Sequence, residues 1–315
     1  MFEIIFLGTS ASAPSPKRNL PSYLVQHDEY RFLVDCGEGT QRQILQSGIG
    51  FKRLNRILIT HGHLDHILGL GGLLSTFMRW ESIDQLEIYG GANALDRISD
   101  LINNVVLRGA RPPMPINLVT VKPGVIFEAE DFSLSAFAVN HRGPDCYGYL
   151  FEEKGRQPFL ADKAESLGIP PGPLRGKLVN GETVTLPGGQ VITPAMVTGE
   201  FRSGVRLAAL GDLGETETLE DVLQGVDGLV IESTYLETER DLAHQFSHLT
   251  AHQAAGFAKK IGAGQLILTH LSRRYRDKDV LAEAQAVFEN TAVARDFDAF
   301  TIKKLAEDSP LSLDI

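Results

Sequence analysis

Short apolar runs punctuate this chain, and most of them close on a glycine or on a residue with chemistry of its own. Residues 2–7 (FEIIFL) read as a strand ended by Gly8. Residues 23–26 and 31–34 fit a hairpin about the polar turn 27–29. The runs at 57–59, 86–89, 119–121, 132–139, 147–151, 206–210, 228–231, 265–268 and 300–303 predict further strands. Helical spacing predicts helices over 41–46, 96–106, 218–223, 251–261 and 280–288, and Ile67, Leu68, Leu70, Leu73 and Leu74 begin another apolar helical surface. Gly48 and Gly225 stand where helices end, and Thr250 stands where one should be capped. Strand runs come early and strand–helix alternation late, which predicts a layered α/β protein with sheets covered by helices.

Residues 154–199 break the pattern. They are dense in Gly and Pro, contain GIPPGPLRGKL at 168–178, and mix Lys163, Arg175 and Lys177 with Glu165 and Glu182. With few periodic apolar positions, this stretch is expected to bury little by itself and to project as an arm inserted into one domain spanning residues 1–315. A loop rich in Ser and Pro, residues 9–22, carries Lys17 and Arg18 and is expected to border the functional site.

The polar residues that close the strands carry the chemistry. His61, His63, Asp65 and His66 fall within the six residues HGHLDH, just after an apolar strand. His141, Asp212 and His270 each follow another strand, in FSLSAFAVNH, RLAALGD and QLILTH. Side chains at the ends of neighbouring strands converge on one edge of a sheet. Buried imidazoles and carboxylates need partners, and a metal ion satisfies several at once. Five His and two Asp make seven ligands, too many for one zinc, which takes about four. Two ions fit: His61, His63 and His141 on one, Asp65, His66 and His270 on the other, and Asp212 between. Such a pair, about 4 Å apart, suits hydrolysis of phosphoesters. His248 is not at a strand end. It reads as a proton donor to a leaving oxygen, with Glu232 to orient it. Asp35 and Glu38, in a glycine-rich turn, are expected to brace the metal loop or to cap backbone amides.

Charge and composition narrow the partners. Thirty basic residues against 40 acidic ones give a net charge of -10, which argues against non-specific nucleic-acid binding by the whole body but not against a local basic patch. No stretch approaches the roughly 20 apolar residues of a membrane helix. The N-terminus lacks the basic region of a signal peptide, and the two cysteines, Cys36 and Cys146, lie far apart, so a reducing cytoplasm is expected.

At these residues the chain resembles a known family. HGHLDH matches the His-x-His-x-Asp-His motif of the metallo-β-lactamase superfamily. FLGTSASAPSPKRN, DCGEGTQRQ, GIPPGPLRGKL, SHLTAHQAA and LTHLSRRYRD make it similar to ribonuclease Z, the tRNA 3′ processing endonucleases, in their short form. The resemblance implies a four-layer αββα sandwich with a projecting arm, and two zinc ions (manganese as an alternative) on the seven ligands above. It implies that Asp65 accepts a proton from the attacking water, and that His248 and Glu232 form the proton-donor pair. It also implies precursor tRNA as substrate, an arm that grips the tRNA elbow, and a homodimer. Another hydrolase of the same fold, acting on small phosphodiesters, is the alternative. Where the family pattern has Gly-Asp-Thr, His-Ser-Thr and His-Glu-Ala-Thr, this chain has Leu213, Leu249 and Ile231 in place of a polar residue.

Overall fold

The computed structural model describes residues 1–80 and 83–304. In chain order the strands are β1 (Phe2–Gly8), β2 (Ser22–His27), β3 (Tyr30–Val34), β4 (Arg56–Leu58), β5 (Leu86–Gly90), β6 (Ile116–Thr120), β7 (Gly124–Glu128), β8 (Phe132–Ala138), β9 (Tyr147–Glu153), β10 (Val184–Thr185), β11 (Val191–Ile192), β12 (Arg206–Ala209), β13 (Gly228–Glu232), β14 (Gln265–Thr269), β15 (Thr291–Val293) and β16 (Ala299–Ile302). The helices are α1 (Thr40–Ser47), α2 (Leu64–Ile67), α3 (Leu70–Trp80), α4 (Ala92–Asp100), α5 (Ala161–Ser166), α6 (Pro173–Val179), α7 (Glu220–Leu223), α8 (Arg240–Gln245), α9 (Ala251–Lys260) and α10 (Asp277–Gln285). Residues 153–204 form one compact unit and the other described residues another.

The larger unit holds two seven-stranded sheets, ordered β16-β1-β2-β3-β4-β5-β6 and β15-β14-β13-β12-β9-β8-β7. Alternation along the strands builds three apolar layers around them. Phe2, Ile4 and Phe6 of β1 join Phe32, Leu134, Tyr149, Phe151, Leu207 and Val230 in a core shared by both sheets. Leu24, Leu33 and Ile57 point the other way, against Ile44, Leu70, Leu73 and Phe77 of α1 and α3. Leu229, Ile231, Leu266 and Leu268 meet Ala254, Phe257 and Ala258 of α9 in the third layer. Strands β4, β13 and β14 therefore read as unbroken apolar runs because both of their faces are covered. The result is the αββα sandwich. Each fully buried Phe removes enough apolar surface from water to contribute roughly 2–3 kcal/mol.

Local signals held at several ends. Thr250 caps α9 in a capping box: its Oγ1 accepts from Gln253 N at 3.1 Å, and Gln253 Oε1 accepts from Thr250 N at 2.9 Å. Other ends moved. The helix expected over 96–106 begins earlier, as α4, and gives way to a π-helical segment, Leu101–Leu107. Asn103, Asn104 and the β-branched Val105 and Val106 are weak helix formers there. Strands β7 and β15 lie outside the runs expected from the sequence. Both are short and at sheet edges; in β7 (GVIFE) Ile126 and Phe127 pack on the core and Val125 is 61% exposed.

The smaller unit, residues 153–204, contains α5, α6 and the β10–β11 hairpin. Contrary to the expectation from composition, it buries a core of its own: Ala164, Ile169, Leu178, Val184, Ile192 and Val197. Its two ends are paired, Arg156 and Arg202 exchanging backbone hydrogen bonds of 2.9 Å.

Candidate metal centre and active site

The site lies at the strand ends of the larger unit. β4 runs out into Thr60 and His61, His63 caps the single turn of α2, and Asp65 and His66 lie within that turn. The other sheet supplies His141 after β8, Asp212 after β12, Glu232 at the end of β13 and His270 after β14. Backbone fit is close: a Cβ on Gly211, next to Asp212, would meet Thr60 Oγ1 at 2.4 Å, and one on Gly69 would meet the Gly37 carbonyl oxygen at 2.0 Å. Tyr149 OH donates to the Ile59 carbonyl at 2.6 Å, and Tyr147 N–H to the Thr60 carbonyl at 2.8 Å, tying the His61 strand end to the second sheet. His270 sits in the left-handed region, φ 55°, a conformation that costs about 1–3 kcal/mol and that surrounding contacts must hold.

Atoms able to bind a metal gather in groups within 4.8 Å of one another, among them His61, His63, His141 and Asp212, and Asp65, His66 and His270; Asp212 and His270 also lie this close to His248. Asp212 faces both of the first two groups. Its Oδ2 lies 3.8 Å from His61 Nε2 and 3.8 Å from His141 Nε2, and its Oδ1 lies 3.4 Å from His66 Nε2 and 3.2 Å from His270 Nε2. Asp65 Oδ2 stands 3.7 Å from His270 Nε2 and 3.8 Å from His66 Nε2. The ring of His63 is centred 4.4 Å from that of His61 and 5.0 Å from that of His141. The Nε2 atoms of His61, His66, His141 and His270, and Asp212 Oδ1, are buried without a hydrogen-bond partner. Five such orphans in one place would be costly in a protein without a cation to share them. The donor set, imidazole and carboxylate, suits a divalent metal.

The opposite edge of each imidazole is held. Asp35 Oδ2 accepts from His66 Nδ1 at 2.7 Å and from Thr60 Oγ1 at 2.8 Å, and Thr60 Oγ1 accepts in turn from His61 Nδ1 at 3.1 Å. On the other sheet Glu232 repeats the arrangement. Its Oε1 accepts from His248 Nδ1 at 2.7 Å, its Oε2 accepts from Thr234 Oγ1 at 2.5 Å, and Thr234 Oγ1 accepts from His270 Nδ1 at 2.9 Å. The Ser247 carbonyl takes His141 Nδ1 at 2.8 Å. Each buried carboxylate thus fixes one imidazole directly and a second through a threonine, leaving Nε2 turned inward. We expect Thr234→Val to weaken metal affinity about 10- to 100-fold, read by competition with a chelating dye; unchanged affinity would show that the threonine only fills space.

Electrostatics follow from this crowding. Burial and the neighbouring imidazoles hold His61 well below its ordinary value, and burial with His141 takes His63 down to about 4. His141 is lowered as well, by burial first. Burial acts downward on His66 too, but the Asp212 and Asp35 carboxylates outweigh it and hold its proton firmly. Burial opposes ionisation of Asp65 and Asp212, yet the imidazoles of His270 and His66 keep both carboxyls well below the usual range. For His248 burial is overcome by Glu232, which raises it to about 9.

The structure brings together His61, His63, Asp65, His66, His141, Asp212 and His270, the residues the sequence placed in one motif and at strand ends, with His248 and Glu232 beside them. Thr60, Thr234 and Ser247 carried no signal of their own, since a single hydroxyl or carbonyl has no periodicity; Thr234 stands in the strand-end stretch IESTY that already drew attention to Glu232. The early loop does border the site, Ser12 N–H donating to Asp65 Oδ2 at 3.1 Å. Its Lys17 instead lines a separate cavity of about 760 Å³ with Arg273, Tyr275, Arg276 and Lys278; that larger cavity contains none of the site's histidines, whereas a smaller one of about 370 Å³ lies over His63, Asp65, Asp212 and His248. Leu213, Leu249 and Ile231 all lie in the apolar layer around α9. Leu213 still donates its N–H to Glu232 Oε1 at 3.0 Å.

Residues 2–165 match a family model described as Anti-Pycsar protein Apyc1. The fold is shared with human tRNase Z, short form, at a TM-score of 0.67 and 24% identity over 96% of this chain and 100% of that one. A ribonuclease Z of Listeria innocua is 40% identical over 95% of this chain and 99% of its own length, and one of Bradyrhizobium diazoefficiens is 44% identical over 96% of this chain and 100% of its own. Matched at such identity along nearly the whole of both chains, this chain belongs to the ribonuclease Z family.

Proposed function

We propose that the chain is a metal-dependent endoribonuclease that removes 3′ trailers from precursor tRNA, cutting after the discriminator nucleotide and leaving a tRNA 3′-hydroxyl. The observation that carries this reading is the near full-length match to relatives named Ribonuclease Z. The cluster of inward Nε2 atoms supports it chemically. Two zinc ions, or manganese, would be held by His61, His63 and His141 and by Asp65, His66 and His270, with Asp212 between. Bound there, such a pair lowers the pKa of water and stabilises charge on the reacting phosphate.

The chain's own residues supply the proton transfers. Asp65, ionised at neutral pH, takes a proton from the water that attacks phosphorus. As the bond to the 3′-oxygen breaks, His248 gives that oxygen a proton, and Glu232 steadies the imidazole through Nδ1. A sugar alkoxide leaves poorly without a proton, whereas p-nitrophenolate leaves well. We therefore expect His248→Ala to lose about 10²–10⁴-fold on precursor tRNA and far less on a p-nitrophenyl phosphodiester. Equal losses on both substrates would remove His248 as the proton donor.

Residues 153–204 serve in this reading as the arm that grips tRNA, so that an acidic chain can bind RNA through local contacts. The working form is a homodimer. Among the described residues no helix is long and apolar enough to cross a membrane, and Cys36 and Cys146 are both free thiols, which suits work in the cytoplasm. The test is direct comparison of a 3′-extended precursor tRNA with a small phosphodiester. Higher kcat/KM on the precursor is expected; turnover of the small ester alone would favour the alternative hydrolase.

A further inference from the structure

The cavity of about 370 Å³ over His63, Asp65, Asp212 and His248 is also lined by two arginines, Arg97 and Arg142. Neither belongs to the metal ligands or to the proton-transfer pair. Arg142 directly follows His141, is exposed, and lays its guanidinium carbon 5.6 Å from the centre of the Phe246 ring. Arg97, on α4, is exposed as well and donates from Nη1 to the Gly62 carbonyl at 2.5 Å, between His61 and His63. Among the described residues neither guanidinium has a carboxylate partner within 4.0 Å. Several other arginines of the larger unit are paired: Arg18 and Arg295 with Asp277, Arg274 with Glu239, Arg276 with Asp279.

Two exposed guanidinium groups without a carboxylate partner line one cavity of a chain whose net charge is -10, a local positive pair that favours an anionic group. Each is held where it stands, one by an aromatic face and one by a backbone carbonyl, so little side-chain freedom is lost when an anion arrives. The planar fork of a guanidinium matches the non-bridging oxygens of a phosphate. The buried ligand cluster already serves the phosphate that is cut. We infer that Arg97 and Arg142 clamp the neighbouring phosphate on the trailer side of the scissile bond, setting the strand's register over Asp65 and His248. This rests on the nuclease reading above. Arg142, free of any backbone bond, is the cleaner member to remove, since Arg97 also steadies the metal loop.

The test uses the full-length, metal-loaded protein and two substrates that differ only in a second phosphate: thymidine 5′-(p-nitrophenyl phosphate) and its 3′-phosphorylated form. Their nitrophenyl group occupies the place of the tRNA, and the 3′-phosphate that of the trailer. The wild type should prefer the doubly phosphorylated ester. Arg142→Ala should raise KM for that ester about 10- to 100-fold, as loss of a hydrogen bond to a charged group does, and several times more than for the single-phosphate ester. Arg142→Lys should restore part of the loss. On precursor tRNA, the alanine variant should also flatten the dependence of log KM on log salt by about 0.7, one phosphate contact on a single strand. Metal content measured on the same samples should match the wild type. Equal KM changes for the two esters, or an unchanged salt slope, would overturn the clamp. A wild type that turns over both esters but leaves precursor tRNA intact would overturn the nuclease reading instead, and the ester pair would still decide the clamp.

Discussion

Replacing Asp65 with alanine is expected to lower cleavage of precursor tRNA by about 10³-fold or more while leaving the fold in place. Two losses combine at this residue. Its Oδ2 lies 3.7 Å from His270 Nε2 and 3.8 Å from His66 Nε2, so one ligand group goes incomplete. The same carboxylate is the proposed acceptor of the water's proton, a role worth about 10²–10⁴-fold by itself. Burial would favour the neutral acid, but His270 and His66 keep the carboxyl ionised, so the base is ready at neutral pH. Asp65 belongs to none of the apolar clusters and is 16% exposed, so its removal opens no cavity in the core. Measured in chelator, the melting temperatures of the variant and the wild type should agree within a few degrees. Asp65→Asn keeps the shape and one possible ligand oxygen but not the base; near wild-type rates in that variant would remove proton acceptance from the account.

Excising residues 153–204 should cost precursor tRNA cleavage about 100-fold in kcat/KM, corresponding to a few lost phosphate contacts, and cleavage of a small phosphodiester only a few-fold. The geometry favours a clean excision. Arg156 and Arg202 pair across the unit's ends, and Glu152 of β9 lies opposite Arg206 of β12, so a short turn can join the two strands. The excised unit takes with it its own core of Ala164, Ile169, Leu178, Val184, Ile192 and Val197, which spares the three layers of the larger unit. Circular dichroism and metal content establish that the shortened chain is folded; equal losses on the two substrates would then detach this unit from tRNA binding.

Much of the candidate site was legible because most of its histidines and Asp212 stand at the ends of apolar runs. His61, Asp212 and His270 each follow a strand buried on both faces, and His141 follows β8, whose apolar residues alternate; both patterns are easy to see. The paired arrangement around Asp35 and Glu232 was only half legible. Carboxylates near histidines invite attention, but Thr60 and Thr234 are ordinary residues until the fold brings a hydroxyl between each carboxylate and its second imidazole. Arg97 has no neighbour in sequence that signals its place; α4 must form before it meets Gly62. The core of residues 153–204 was hidden because its apolar positions follow neither helical nor strand spacing over more than a turn. Edge strands β7 and β15 are short, five and three residues, and offer only VIF and AV to read.

The most direct measurement maps the ends produced from a 3′-extended precursor tRNA by the purified protein supplied with zinc or manganese. The account predicts one cut after the discriminator nucleotide, with a 3′-hydroxyl on the tRNA and a 5′-phosphate on the trailer, abolished by chelator and restored by metal. An intact precursor under these conditions, with the protein folded and metal bound, would contradict it.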